Sequence, residues 1–250
     1  MVASARAMRG RSDTSHRSAK ALLLFVFAAL GISLFFGLGV WQLERRAWKL
    51  DLIERVNERV HAAPVPAPGP ASWSSVNAAN DEYRHVSVTG QFLAGGDTLV
   101  KAVTEYGSGY WVLSPFRTGD GFDVLVNRGF IPEEKAKTFS AAKRGTGTVT
   151  GLLRLSEPGG AFLRSNDPSA GRWYSRDTAA IAAARAIGDV APYFIDADAS
   201  PAPEGAPVGG LTVISFPNNH LVYALTWFGL AAMLIGWLFR VFRMERKERD

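Results

Sequence analysis

The sequence predicts a membrane protein in which two transmembrane helices flank a mainly antiparallel β (α+β) extracytoplasmic domain. Two observations lead to this fold class. Each end of the 250-residue chain carries a long uncharged apolar segment, and the part between them contains short runs in which apolar and polar residues alternate. The Lys and Arg residues set the orientation, which places residues 1–20 and 240–250 in the cytoplasm and residues 44–219 on the other side.

The two apolar segments are long enough to cross a bilayer as helices. Residues 21–43 and 221–239 contain no charged side chain over 23 and 19 positions. At about 1.5 Å per residue they reach roughly 34 and 28 Å, close to a hydrocarbon core of about 30 Å. The first exceeds the apolar core of a cleavable signal peptide, so we expect it to be retained. Each segment has one small-residue pair spaced to let the helices touch: Ser33 with Gly37, and Ala232 with Gly236.

The distribution of basic residues predicts that both termini are cytoplasmic. No Lys or Arg lies between Arg185 and the second span, whereas five follow it, and two spans return the chain to the side on which it began. The net charges are +4 for residues 1–20, −1 for residues 44–219 and +2 for residues 240–250, which sum to the formal charge of +5. The high sequence pI therefore reflects topology, and we expect no nucleic-acid partner.

The segment between the spans is predicted to be a β-rich domain that begins with a helix. Apolar residues three or four apart predict an amphipathic helix over residues 44–62, which Pro64 ends. A second helix is expected from Asp177 to about Ile187. Short strands at regular spacing favour an antiparallel sandwich or open barrel. They are Arg84–Phe92, Thr98–Val103, Tyr110–Phe116, Phe122–Phe130, Thr148–Leu155, Tyr193–Ile195 and Leu211–Ile214.

Composition and motifs argue against several classes of function. The chain contains no Cys, which excludes disulfide frameworks, thiolate metal sites and cysteine nucleophiles. Its four histidines are far apart in the sequence, so a metal site built from protein ligands alone is not expected. The chain also lacks a GxSxG nucleophile motif and a P-loop. The sequence therefore gives no support to a serine hydrolase or a P-loop nucleotide-binding protein.

Polar residues beside the spans are candidates for a functional site. Arg45, Arg46 and Lys49 follow the first span, where they can contact phosphate headgroups or dock a membrane partner. His220 directly precedes the second span, where an imidazole can bind a metal or haem iron or form an interfacial hydrogen bond. Arg128 is predicted to end a strand at a turn, where it forms a structural ion pair or recognises a carboxylate. The residues alone leave these alternatives open.

Six blocks of sequence carry a family resemblance: GVWQLERRAWK (39–49), EYR (82–84), VNRGFIP (126–132), WYSRD (173–177), FIDA (194–197) and NNHLVYALTWFGL (218–230). The residues in these blocks and the order of the blocks along the chain, with an apolar span at each end, resemble those of the surfeit-locus (Surf-one) family of cytochrome c oxidase assembly proteins. One departure concerns residues 164–168, RSNDP, where the family often has Pro-x-Asn-x-Pro and this chain lacks the first proline.

The resemblance implies a non-enzymatic helper that assists insertion or retention of haem a in the catalytic subunit of the haem–copper oxidase. It implies haem a as a transiently bound cofactor, with His220 as an axial ligand of the iron. Its implied partners are the catalytic subunit, other assembly factors and membrane lipid. The side chains expected around the haem are Tyr223 and Trp227 at the ring and, at the propionates, Arg128 or the pair Arg45 and Arg46.

Two alternatives belong to other classes of protein. A membrane-tethered scaffold would hold an oxidase assembly intermediate without binding cofactor, and a periplasmic hydrolase is the weaker alternative because its motifs are missing. The N-terminal tail is short for a mitochondrial presequence plus spacer. We therefore expect a bacterial inner membrane, with a mitochondrial inner membrane as the alternative.

Overall fold

The structure is a computed structural model that describes residues 2–137, 139, 146–161, 163–201 and 206–247. The chain divides into two compact units. The first consists of Met1–Ile53 and Phe216–Asp250, and the second of Glu54–Ser215. The first contains two long apolar helices and the second is β-rich. The predicted arrangement of two apolar helices around a β-rich domain is confirmed at this level.

The two long helices are α1 (Val2–His61) and α4 (His220–Lys247). The stretches Leu22–His61 and His220–Arg246 are long and apolar enough to cross a membrane. Helix α1 continues without a break from its apolar part into the predicted amphipathic part and ends three residues before Pro64. Because proline lacks an N–H donor and fixes φ, Pro64 and Pro66 prevent the helix from continuing.

Helices α1 and α4 form an antiparallel pair through aromatic contacts. Ring centroids lie 6.0 Å apart for Phe25–Phe242, 5.8 Å for Phe35–Trp227 and 5.5 Å for Phe36–Phe228. Gly39 is buried against the ring of Phe228, and a Cβ atom at Gly39 would overlap with that ring. Close packing around small residues is therefore present in the pair.

The small-residue contact predicted from the sequence is wrong in its position. The four predicted residues all lie on exposed helix faces, namely Ser33, Gly37, Ala232 and Gly236. The buried small residues are Ala28, Gly39, Ala224 and Ala231. Small residues four positions apart lie on the same face of a helix, but this spacing does not determine whether that face contacts the partner helix. The large aromatic side chains set that orientation.

The β-rich domain is built from one seven-stranded sheet whose order is β1-β2-β6-β7-β5-β4-β3. Its strands are β1 (Val65–Pro66), β2 (His85–Phe92), β3 (Thr98–Thr104), β4 (Gly107–Thr118), β5 (Asp123–Pro132), β6 (Thr146–Leu155) and β7 (Val190–Ala197). Strand β2 also pairs with β4, so β2, β6, β7, β5 and β4 close into a five-stranded barrel. The pairs β1–β2 and β5–β7 are parallel and the others are antiparallel.

Barrel closure depends on Gly90, where strand β2 is still paired with β6 and also pairs with the end of β4. Gly90 is paired with Thr118, and a Cβ atom at Gly90 would overlap with the carbonyl oxygen of Arg117. Only a residue without a side chain allows the two backbones to approach this closely. The edge strands of the sheet are therefore the short strand β1 and strand β3.

One predicted strand, Leu211–Ile214, is absent. This segment contains no strand. Individual hydrogen bonds hold the chain just before it and within it, in place of the repeated backbone hydrogen bonds of a paired strand. Val208 exchanges backbone hydrogen bonds with Phe130, the Gly210 N–H donates to the Ala197 carbonyl, and Thr212 Oγ1 donates to Asp196. An apolar alternating run cannot form a strand where no neighbouring edge has several free backbone groups in register.

The domain interior contains two apolar clusters on the two sides of the curved sheet. One is centred on Val86, Phe116, Leu153, Tyr193 and Ile195. The other lies under helix α3 (Thr178–Ala184), the second helix predicted in the domain, and contains Val100, Leu113, Leu125, Trp173, Ile181 and Phe194. The Asp177 side chain caps this helix by accepting a hydrogen bond from the Ala180 N–H, and the helix ends at Ala184 rather than near Ile187 as predicted. A single-turn helix, Ala78–Asp81, is α2.

Candidate functional site at the start of helix α4 and in the β-rich domain

His220 is the first residue of α4 and is hydrogen-bonded to α1. Its Nδ1 atom lies 2.7 Å from Oε1 of Gln42, whose side chain is buried in the helix pair. An amide oxygen can only accept a hydrogen bond, so in this contact the imidazole Nδ1–H donates. In the neutral ring, Nε2 then carries the free lone pair. The neutral ring is the form in which histidine binds metals.

The helix pair fixes the position of His220 through a second contact two turns away. Phe35 precedes Gln42 by seven residues, and Trp227 follows His220 by seven residues. The rings of Phe35 and Trp227 stack at 5.8 Å with an interplanar angle of 25°. Two contacts on the same faces of both helices hold their register. The Gln42–His220 hydrogen bond is therefore supported by packing.

The predicted ring-packing residues differ in their surroundings. Tyr223 is 54% exposed, next to the exposed apolar side chains of Leu221, Val222 and Leu225. The indole of Trp227 is stacked on Phe35 and belongs to the helix contact. The structure thus brings His220 and Tyr223 together on one end of α4, with an exposed apolar surface beside them.

The basic residues Arg45, Arg46 and Lys49 lie within two turns of Gln42 on α1. The Arg45 guanidinium carbon is 4.2 Å from the centre of the Trp48 ring, and Lys49 Nζ is 5.0 Å from the centre of the Phe216 ring. Phe216 precedes His220 by four residues. The same unit therefore holds an imidazole and a group of cations near one end of the helix pair.

Asn218, two residues before His220, has an unsatisfied side-chain oxygen atom within the described part of the chain. Its Oδ1 atom is buried, and among the described residues it has no hydrogen-bond partner. A buried acceptor without a donor costs about 1–3 kcal/mol. This end of the helix pair therefore contains one orphaned acceptor close to the imidazole.

Arg128 is not at a turn, which corrects the prediction. It lies within strand β5, which continues to Pro132, and its guanidinium carbon is 5.1 Å from the centre of the Phe92 ring. A Gly residue at position 129 with φ of +125° allows the strand to bend there and continue. Arg128 belongs to the β-rich unit, whereas His220, Tyr223 and Trp227 belong to the helix unit.

A buried ionic network in the β-rich domain was not predicted from the sequence. Its centre is Asp196, which is 5% exposed and accepts hydrogen bonds from four side chains. The donors are Asn127 Nδ2 at 2.8 Å, Thr212 Oγ1 at 2.9 Å, one terminal nitrogen of Arg154 at 3.2 Å and one of Arg176 at 3.3 Å. A carboxylate offers about four acceptor positions, so Asp196 is saturated.

Two further carboxylates neutralise the two arginines. Arg154 Nε donates to Glu82 at 2.8 Å, and Arg176 Nε donates to Glu157 at 3.1 Å. Burial alone would raise the pKa of Glu157, but its hydrogen bonds and charge interaction with Arg176 outweigh burial and lower the pKa below its ordinary value. Burial likewise opposes the charge of Arg154, whereas Asp196 and Glu82 raise its pKa. The ion pairs therefore favour the charged forms of Glu157 and Arg154.

The network forms the floor of a cavity of about 250 Å³. The side chains at its mouth include Val103 and Val213, which are 80% and 81% exposed. Trp111 lines its wall. Because the charged floor is internally paired, the cavity offers no activated nucleophile, and the described residues contain no group of three His, Cys, Asp or Glu side chains that could hold a metal. It is an apolar-rimmed pocket with a rigid polar base.

A signal for this network was present in the sequence. Glu82, Asn127, Arg176 and Asp196 each lie in one of the blocks that carry the family resemblance. Charged residues inside otherwise apolar strands, as in FIDA, indicate buried ion pairs because unpaired charges are rarely buried. Which of them meet could not be derived, since the residues joined by Asp196 are up to 69 positions away.

Comparison with known proteins identifies relatives over most of the chain. The SURF1 family profile matches residues 29–232. Surfeit locus protein 1 of Mus musculus is 38% identical over 216 residues, which is 79% of this chain and 68% of the relative, and that of Homo sapiens is 37% identical over 217 residues, 79% and 70%. A SURF1-like protein of Monosiga brevicollis is 36% identical over 221 residues, 82% of each chain. The chain therefore belongs to the SURF1 family.

Proposed function

We propose that this protein is a membrane-anchored assembly factor for the haem–copper cytochrome c oxidase and that it assists insertion or retention of haem a in the catalytic subunit. Membership of the SURF1 family supports the assembly role. The observation that carries the haem part is the imidazole of His220, which starts α4 with its Nδ1 atom already hydrogen-bonded to Gln42. The partners proposed are the catalytic subunit, other assembly factors and membrane lipid.

The residues at this end of the helix pair fit a haem. Metal-binding histidines usually donate their second ring N–H to an oxygen acceptor, and Gln42 is such an acceptor. The exposed side chains of Leu221, Val222 and Leu225 provide the apolar surface that a macrocycle with a long hydrocarbon tail requires. When bound, the haem would supply an iron that an imidazole nitrogen can ligate.

Each residue has a proposed task in holding the haem. His220 would ligate the iron through Nε2, and the exposed ring of Tyr223 would pack beside the macrocycle. Trp227 would act mainly by fixing the helix register, because its ring is stacked on Phe35. The propionates would be met by Arg45 and Arg46 of the same unit, with Arg128 as the alternative. None of these tasks requires a chemical step, and we propose that the protein is not an enzyme.

The two apolar helices indicate membrane association. We propose that both cross the bilayer, that both termini are cytoplasmic and that residues 44–219 face the other side. The membrane proposed is a bacterial inner membrane, and the mitochondrial inner membrane is the alternative. The relatives named above are eukaryotic, which agrees with the alternative. Detection of the protein in fractionated membranes of its source organism decides between them.

The haem proposal is tested by purifying the full-length protein in detergent from cells that produce haem a and recording its absorption spectrum. We expect a haem a spectrum in the wild-type protein and its loss in His220→Ala. His61→Ala is the matched control, because His61 also lies on a long helix but its ring is hydrogen-bonded to the Asn57 carbonyl of its own helix. An unchanged spectrum in His220→Ala would remove His220 from the proposal.

A scaffold that holds an assembly intermediate without cofactor is the second candidate. The exposed valines at the mouth of the cavity above Asp196 favour it, since apolar side chains around a packed pocket are typical of protein contacts. Under this alternative, Val103→Asp with Val213→Asp would abolish co-purification of the oxidase catalytic subunit while the protein contains no haem. Leu163→Asp is the control, because Leu163 is 88% exposed and does not line the cavity.

A further inference from the structure

We propose that Gln42 is the positioning residue of His220: its side-chain oxygen accepts the Nδ1 proton, holds the imidazole in the Nδ1–H tautomer and leaves Nε2 as the ligand atom. The inference rests on the proposed function in that the ligand atom is meant for haem iron. It assigns a role to Gln42, an uncharged residue of the first apolar segment. The basic residues that follow it on α1, Arg45, Arg46 and Lys49, would instead act through their charge.

The chemistry of the two side chains defines the tautomer. A neutral imidazole has one donor and one acceptor nitrogen, and an amide oxygen accepts only. With 2.7 Å between Nδ1 and Oε1, the proton is on Nδ1. Because the Gln42 side chain is about 9% exposed, loss of its partner would leave a buried amide oxygen unsatisfied. The Gln42 oxygen and the His220 Nδ1–H therefore each satisfy the hydrogen-bonding need of the other.

Helix packing gives this hydrogen bond its direction. Gly39, one turn before Gln42, allows the Phe228 ring to lie against the backbone of α1. Two turns before Gln42, Phe35 stacks on Trp227. These contacts set the position of both backbones, and the bond to Nδ1 then removes rotation of the ring about Cβ–Cγ. As a result Nε2 has one fixed direction, which is the requirement for a preorganised ligand.

The test uses two substitutions of different chemistry in the full-length protein. Gln42→Leu has nearly the same size but no acceptor, whereas Gln42→Glu retains an oxygen that accepts the Nδ1 proton. Gln91→Leu is the control, because Gln91 is an exposed residue of β2. The first readout is the ¹⁵N chemical shift of the labelled His220 ring in detergent without haem. The second is binding of added haem a, followed by its absorption spectrum.

We expect the Nδ1–H tautomer in the wild-type protein and its loss in Gln42→Leu, together with haem a binding that is roughly 10- to 100-fold weaker. Gln42→Glu is expected to restore binding close to the wild-type value, and Gln91→Leu to change neither readout. An unchanged tautomer and unchanged binding in Gln42→Leu would overturn the inference. A tautomer shift in Gln42→Leu without haem binding by the wild-type protein would overturn the proposed function and uphold the positioning of His220 by Gln42.

Discussion

Asn127 and Asp196 are register partners across the parallel strands β5 and β7, and Asn127 Nδ2 donates a 2.8 Å hydrogen bond to Oδ1 of Asp196. The same carboxylate accepts hydrogen bonds from Arg154 on β6, Arg176 before α3 and Thr212 in the segment after β7. One buried charge thus joins five segments of the domain. Its removal should therefore affect the whole domain.

Asp196→Leu is expected to destabilise the β-rich domain by about 3–5 kcal/mol, because it leaves two mostly buried guanidinium groups without their common partner. Asp196→Asn should cost less, since the amide oxygen still accepts two of the four hydrogen bonds. Chemical denaturation of the detergent-solubilised protein, followed by tryptophan fluorescence, measures the free energy of unfolding.

The control for Asp196 is Arg172→Gln, which removes an ion pair to Asp167 whose side chains are 64% and 33% exposed. Exposed pairs contribute little, so the midpoint of denaturation should stay within experimental error of the wild-type value. Equal effects of the two substitutions would contradict the central role of Asp196.

The histidine at the start of β2 should make stability depend on pH. His85 Nδ1 lies 2.8 Å from the Ala62 carbonyl oxygen, and Nε2 lies 2.9 Å from Oδ2 of Asp198. Burial lowers the pKa of His85, but the hydrogen bonds to Ala62 and Asp198 outweigh it and raise the pKa above the ordinary value of 6.5. With two acceptors at its two nitrogens, the ring is held in its protonated form.

The sign of the pH effect follows from this raised pKa. A group whose pKa is higher in the folded state contributes stability that is fully present below its unfolded value of 6.5 and is lost as pH rises through its folded value. We expect the difference in melting temperature between the wild-type protein and His85→Gln to be largest below pH 6 and to shrink above pH 7. His61→Gln is the control, and a difference that grows with pH would refute this assignment.

The sequence predicted the positions of the elements better than the contacts between them. Period-two patterns in β2 and β3 and the uncharged runs of α1 and α4 each reflect a local physical cause, so their places along the chain could be derived. Leu211–Ile214 was wrongly predicted as a strand, because strand formation needs a free neighbouring edge that the pattern does not contain.

The candidate site was predicted only in part for a similar reason. His220 was identified from its place before an apolar segment, but its partner Gln42 is 178 positions away. Arg128 was predicted to end a strand at a turn, whereas the strand bends at Gly129 and continues to Pro132. A glycine permits a positive φ but does not determine whether the chain turns back or bends.

The contact between Gly39 and Phe228 predicts how the helix pair responds to added volume. Gly39→Leu should weaken the pair, because even a Cβ atom would overlap with the Phe228 ring and overpacking costs about 1–3 kcal/mol. Gly37→Leu is a closely matched control, since the space around its Cβ position is empty to 4 Å. Thermal unfolding in detergent measures both, and a larger effect at Gly37 would contradict the observed packing face.

The orientation in the membrane can be tested with single thiols, because the chain contains no native Cys. Val103→Cys lies in the β-rich domain at a position that is 80% exposed, and Met244→Cys lies near the end of α4 at a position that is 50% exposed. With both termini cytoplasmic, a membrane-impermeant maleimide should label Val103→Cys in intact spheroplasts or mitoplasts and Met244→Cys only after lysis. Labelling of Met244→Cys before lysis would reverse the proposed topology, and with it the side of the membrane on which His220 lies.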